Sequence, residues 1–207
     1  MQNGKTVTTG LVLRVTETKE ADKILTVLTP DMGKIPLIAR GARRKNSRIA
    51  AASQLLAYSE LTLYKRGNWH MLDEASTLEL FDGVRQDIVL LSLASYFAEA
   101  AEAVCAEETT SPEILSLLLN ALYALCYLHK EPRLVKAAFQ FRLMALAGFE
   151  PLASGCAVCG REEPEAPMLD VVHGVVHCGG CKGGGGLSLP LTAAGLAALR
   201  HILTADG

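Results

Sequence analysis

Three features of this 207-residue chain predict an α+β multidomain fold. Residues 1–80 read as short apolar-alternating segments separated by tight turns. From residue 81 the period becomes helical. Two Cys-x-x-Cys pairs then fall inside 152–182. The expected order is a five-stranded β-barrel (1–80), an all-helical domain (81–151), a four-cysteine module inserted in it (152–182), and a Gly-rich tether with the final helix of the helical domain (183–207).

The barrel strands follow in order. Val7 to Thr16 alternates loosely, with Val7, Leu11, Leu13 and Val15 apolar, and Gly10 marks a bulge or a strong bend. Ile24 to Leu28 is a second strand, and Pro30-Asp31-Met32-Gly33 a turn. Lys34 to Arg40 is a third, followed by a polar, basic loop from Gly41 to Arg48. Leu55 to Lys65 is a fourth strand. Arg66-Gly67-Asn68 turns the chain into a fifth, His70 to Ser76. Five short strands in about 80 residues fit a small closed barrel of the OB-fold type.

The helices follow. Val84 to Cys105 is apolar on most of its circumference and reads as one central, buried helix. Ser111-Pro112-Glu113 starts a second helix, with Ser as N-cap and Pro at N1, running to about Leu128. Pro132 opens a third, which Gly148 caps and Pro151 ends. A final helix spans Leu191 to Leu203, starting near Thr192.

Cys156-x2-Cys159 and Cys178-x2-Cys181 are separated by eighteen residues. Two such pairs place four thiolates on two tight turns, a strong pattern for a tetrahedral zinc site. Gly160, Gly179 and Gly180 suit those turns. With all four positions held by Cys, no coordination position is left for water, so one structural zinc is expected. A disulfide framework would need an oxidising compartment, and the N-terminus lacks the basic and apolar regions of a secretory signal. A dithiol redox motif would not need two matched pairs. His173 and His177 lie between the pairs but are superfluous as ligands. Cys105 and Cys126 stand alone in apolar helical runs and read as core residues.

The net charge of −2 conceals an asymmetry. Residues 1–80 carry 12 Lys and Arg against 8 Asp and Glu, whereas the remainder carries 8 against 14. Between Met32 and Ser59 there is no acid, while Lys34, Arg40, Arg43, Arg44, Lys45 and Arg48 are all present. Such a segment can neutralise phosphates and release counterions, which makes it the candidate DNA-binding surface. Base-stacking platforms are scarce. Trp69, beside a polar turn, is the best candidate, and Tyr58 and Tyr64 read as packing residues. No apolar run reaches the length of a membrane span. No nucleophile–base pairing and no phosphate-cradling GxxxxGK[ST] is present, and Gly183 to Gly186 reads as a linker. Neither an enzyme active site nor a small-molecule substrate is therefore expected.

Several stretches together resemble the RecO family of bacterial recombination mediators. They are Ala21 to Thr29, Ala39-Arg40-Gly41-Ala42-Arg43-Arg44, Phe141 to Met144 with Gly148 to Leu152, and Cys156-Ala157-Val158-Cys159-Gly160. The resemblance covers essentially the whole chain. It implies DNA repair and recombination after DNA damage: binding of single- and double-stranded DNA, annealing of complementary strands, and loading of RecA with RecR on DNA covered by single-strand-binding protein. It also implies a cytoplasmic, nucleoid-associated location. The acidic tail of single-strand-binding protein is expected to meet the helical half, where Arg133 and Lys136 lie one turn apart. Family members continue with more helix after the segment like Leu191 to Leu203, so a shortened form is expected here. Two other readings stay open: a zinc-containing protein–protein adaptor that binds no DNA, and an enzyme with a catalytic zinc.

Overall fold

The computed structural model describes residues 4–181 and 185–204. Five strands form a closed barrel: β1 (Thr6–Thr18), β2 (Asp22–Thr29), β3 (Gly33–Ala39), β4 (Tyr58–Arg66) and β5 (Trp69–Glu79). Their order is β1-β2-β3-β5-β4, and β1 also pairs with β4 to close the ring. All neighbours are antiparallel except β3 and β5, which are parallel at Leu37↔His70 and Ile38↔Met71. This is the expected OB-type barrel.

One long strand makes closure possible. β1 gives its first half, Thr6 to Leu11, to β4 and its second half, Leu11 to Thr18, to β2. The bulge lies between Val12 and Arg14, just beyond Gly10. Gly10 serves the bend differently. A Cβ there would stand 2.5 Å from Val27 Cγ1, so the two strands could not approach. Alternate residues of each strand point inward. Val12, Leu25, Val27, Ile35, Leu37, Leu61, Leu63 and Leu72 form the barrel core. Burying each such side chain stabilises the barrel by roughly 1.5–3 kcal/mol relative to exposure.

The helical run differs from its expectation. Val84 to Cys105 is not one buried helix but a short α1 (Asp82–Arg85) and a longer α2 (Ile88–Val104). Asp87 breaks it by accepting from the backbone N–H groups of Val89 and Leu90, an N-cap that overrides the apolar pattern. Only Ala94, Phe97, Ala98 and Ala101 of α2 are buried, while Ile88 and Val89 are 74% and 65% exposed. α3 (Pro112–Cys126) starts at Pro112 as expected, but the Ser111 hydroxyl caps nothing. α4 (Pro132–Leu146) is closed off just beyond its end by Gly148 at a φ of 89°, and Phe149 N–H donates to Met144 O at 2.8 Å.

The chain forms two compact units, one up to Lys136 and one from Ala137. The expected 81–151 domain is therefore divided: α1, α2 and α3 belong with the barrel. The second unit contains the end of α4, a three-stranded antiparallel sheet and α5 (Ala193–Thr204). The sheet has the order β7-β6-β8, from β6 (Pro167–Asp170), β7 (Val175–Cys178) and β8 (Ser188–Pro190). Leu196, Leu199 and Leu203 of α5 pack with Ala153, Leu169 and Val176 as its core. Gly183 and Gly184 of the expected tether lie outside the described residues. Gly186 is not a spacer: a Cβ there would meet the Asp170 carboxylate at 2.5 Å.

Candidate nucleic-acid interface and metal centre

The basic loop is a chain of turns from Arg40 to Leu56 with apolar feet. Ala42, Ile49, Ala52 and Leu56 are buried, as is Ser53, whose hydroxyl donates to Ile49 O, while the charged residues between them point outward. Hydrogen bonds from its backbone N–H groups fix the loop to the β1–β2 hairpin. Gly41 N–H donates to Asp22 Oδ1 at 2.8 Å and Arg43 N–H to Ala21 O at 3.0 Å. Lys23 Nζ donates to Ser53 O at 3.0 Å, and Leu56 N–H to Val12 O at 2.9 Å, beside the β1 bulge. Arg85 of α1 bonds Leu80 O at 2.7 Å, Gln54 Oε1 at 3.3 Å and Leu55 O. Burial lowers its pKa from the usual guanidinium value, with Asp82 opposing.

Five of the six proposed cations, Arg40, Arg43, Arg44, Lys45 and Arg48, are exposed on this loop. Arg40, Arg44 and Arg48 line one groove of about 330 Å³. Arg43 Nη2 contacts Glu17 Oε2 at 3.2 Å, an exposed pair that salt and solvent screen. Lys34 is not brought to the groove. It sits at the far end of β3, where its ammonium donates to Glu102 O at 2.7 Å in the last turn of α2, a favourable place for a cation. Arg14 Nη2 pairs with the Glu102 carboxylate at 2.8 Å, so the two cations dock α2 on the barrel. Trp69 is 46% exposed at the start of β5, and Tyr58 and Tyr64 are half-buried.

The four cysteines of the Cys-x-x-Cys pairs converge. Their sulfurs all lie within 4.8 Å of one another, with Cys159 Sγ 3.8 Å from Cys178 Sγ. A tetrahedral thiolate site with metal–sulfur bonds of about 2.3 Å requires sulfurs about 3.8 Å apart, so the cluster fits a metal ion. The first knuckle is closed by Cys156 N–H donating to Arg161 O at 2.8 Å and Gly160 N–H to Cys156 O at 2.9 Å. Gly160 takes a φ of 75° there, a conformation that costs a side chain energy. The second is closed by Cys181 N–H donating to Cys178 O at 3.0 Å.

The electrostatics suit a cation. The N–H groups of Cys159 and Cys178 donate to Cys156 Sγ at 3.4 and 3.3 Å, and such bonds pull its pKa down to about 5 despite burial. Its neighbours move oppositely. Burial raises Cys178, and hydrogen bonding to the Cys159 sulfur pushes Cys181 up to about 12. One thiolate forms readily and inhibits the next, a conflict that a bound dication removes.

The histidines are structural. His177 is buried, with Nδ1 2.9 Å from Cys178 O and Nε2 3.1 Å from Ser188 Oγ. His173 Nδ1 lies 2.8 Å from Oδ2 of buried Asp170. Those bonds hold the Asp170 carboxyl below its usual range. Arg200 on α5 carries no local signature in the chain. Its guanidinium donates to Ala153 O at 2.8 Å, Ser154 O at 3.1 Å, Glu162 O at 2.7 Å and Glu163 Oε1 at 2.8 Å, tying both limbs of the first knuckle together. Cys105 and Cys126 are buried, as expected of core residues.

No described helix is long and apolar enough to cross a membrane. The chain is similar to three proteins named DNA repair protein RecO. That of Acetivibrio thermocellus is 30% identical over 95% of this chain and 78% of its own length. That of Symbiobacterium thermophilum is 31% identical over 95% and 79%. That of Desulforudis audaxviator is 35% identical over 84% and 70%. Residues 1–81 match the family description Recombination protein O N terminal, and residues 85–206 match Recombination protein O C terminal. A closed five-stranded barrel, the helices after it and a late four-cysteine cluster thus occur in a chain that belongs to the RecO family of DNA repair proteins.

Proposed function

We propose that this protein is a recombination mediator without bond-making chemistry. It binds single- and double-stranded DNA along the barrel rim and anneals complementary strands. With RecR it helps load RecA on DNA covered by single-strand-binding protein. The observation that carries this reading is the rim itself: five exposed cations on apolar feet, in a segment free of acids. Phosphate contacts dominate such binding and carry little base information. The annealing step follows physically, because cations on a fixed loop screen repulsion between two strands brought side by side. RecO names among relatives support the repair context. The setting is cytoplasmic, at the nucleoid.

Cys156, Cys159, Cys178 and Cys181 would hold one zinc ion, which supplies local folding energy and no open coordination position. The helices would carry protein contacts. Arg133 and Lys136 are exposed in the first turns of α4, with Lys136 Nζ 5.6 Å from the Tyr96 ring centre, and they would receive carboxylates of the single-strand-binding protein tail. The exposed Ile88, Val89 and Leu134 also favour the adaptor reading, in which protein contacts are the whole function. Annealing of complementary oligonucleotides by the full chain decides between them. The mediator reading expects faster annealing than buffer, reduced in an Arg43→Ala/Arg44→Ala/Lys45→Ala variant. Annealing no faster than buffer would favour the adaptor.

A further inference from the structure

The groove below the arginine rim has a lining that a phosphate site does not need. Its floor is apolar: Ile49 and Leu72 line it, and each is less than a tenth exposed. Its β5 wall carries a carboxylate, Asp73, the one acid among the groove-lining residues. Asp73 Oδ2 is held by Lys5 Nζ at 2.6 Å, and its side chain remains one-third exposed, at 33%. Among the described residues Lys5 is its only ion-pair partner.

A phosphate would meet repulsion at Asp73 and gain nothing from the apolar floor. On the DNA-binding reading, phosphates would follow Arg40, Arg44 and Arg48, which leaves the floor to a different group. A group suited to it has apolar faces, no charge and an N–H donor at its edge. An unstacked nucleobase has these properties. We propose that this groove is a nucleobase subsite, in which Asp73 accepts a hydrogen bond from the exocyclic amino group of a single-stranded base. The proposal rests on the DNA-binding reading above and adds a base preference to it. Cytosine offers its N4 amino group to a carboxylate, whereas thymine presents O4 at the corresponding position. Lys5 Nζ pairs with Asp73 Oδ2 at 2.6 Å from one side, and that hydrogen bond raises the pKa of Lys5. In a duplex the base edges are paired and stacked, so the subsite has no occupant there.

The test is binding of the full chain to fluorescent dC15 and dT15 strands and to a mixed-sequence duplex, at one fixed salt concentration near neutral pH. The expected result is tighter binding of dC15 than dT15 by about five-fold, the lower range for one base contact. Asp73→Ala, which removes the acceptor, should bring the two strands within two-fold, with dT15 and duplex binding no weaker than in the parent. Lys5→Ala, which leaves the carboxylate in place, should retain the preference. Equal affinity of the parent for dC15 and dT15, or a preference that survives Asp73→Ala, would overturn the subsite while DNA binding stands. Failure to bind either strand would overturn the DNA-binding reading, and the subsite with it.

Discussion

The basic loop of the barrel and the first cysteine knuckle are both irregular segments held in one shape, and they are held by opposite means. The loop stands on buried Ala42, Ile49, Ala52 and Leu56, with its cations directed outward. The knuckle has little apolar footing beyond Ala153 and depends on sulfur and on Arg200. In the loop, the side chains that would meet DNA are not the side chains that hold the fold. In the knuckle, the ligand residues are the fold. Function and stability should therefore separate in the first region and coincide in the second.

The largest effect that can break this contrast is Cys159→Ser. It should abolish stoichiometric zinc and increase hydrogen exchange over 152–181, while barrel amides from 6 to 79 stay protected. A variant that keeps one equivalent of zinc would contradict a four-thiolate centre. Next is Ile49→Ala, which removes one apolar foot. Chemical denaturation should show a loss of about 2 kcal/mol, because a buried aliphatic is truncated in a packed core. An effect below the noise would mean that the loop is not anchored by burial. Arg200→Ala should follow: zinc release to a chelator should quicken by about ten-fold, as for other residues that orient metal ligands. Arg200→Lys should recover only part of this, since an ammonium cannot reach four acceptors in one plane.

Much of the architecture was legible in particular residues. Alternation at Leu61 and Leu63, the turn at Pro30 to Gly33, and the Cys pairs each have a local physical meaning, and the structure places all three as read. What failed to show is one local cap and three contacts with distant partners. Asp87 interrupts an apolar run through its own side chain, a cap signal masked by the residues around it. Lys34 looked like part of the basic segment, yet α2 supplies the carbonyl that takes its ammonium. Arg200 is one cation in an unremarked helix until the fold brings four acceptors to it. The acid-free segment gave the rim but not Asp73, which β5 carries to the same groove from a different part of the chain.

A smaller effect concerns His70, which is buried at the junction of β3, β4 and β5, its Nδ1 without a hydrogen-bond partner among the described residues. Burial, aided by Lys65, lowers its pKa below the ordinary 6.5, with Glu108 opposing. The folded barrel thus favours neutral imidazole. That contribution is complete above about pH 6.5 and is lost as pH falls through the depressed folded value. Thermal melting should show lower stability at pH 5.5 than at 7.5, and His70→Gln should flatten that difference.

The separation of function from stability in the rim is tested most directly by a salt titration of single-strand binding. Five rim cations should give a log–log slope of about −3.5, at roughly −0.7 per phosphate. Replacing Arg43, Arg44 and Lys45 with alanine should lower the slope by about 2 and leave the melting temperature within a degree or two of the parent. A variant with an unchanged slope, or one that loses the slope only by losing the fold, would contradict the account.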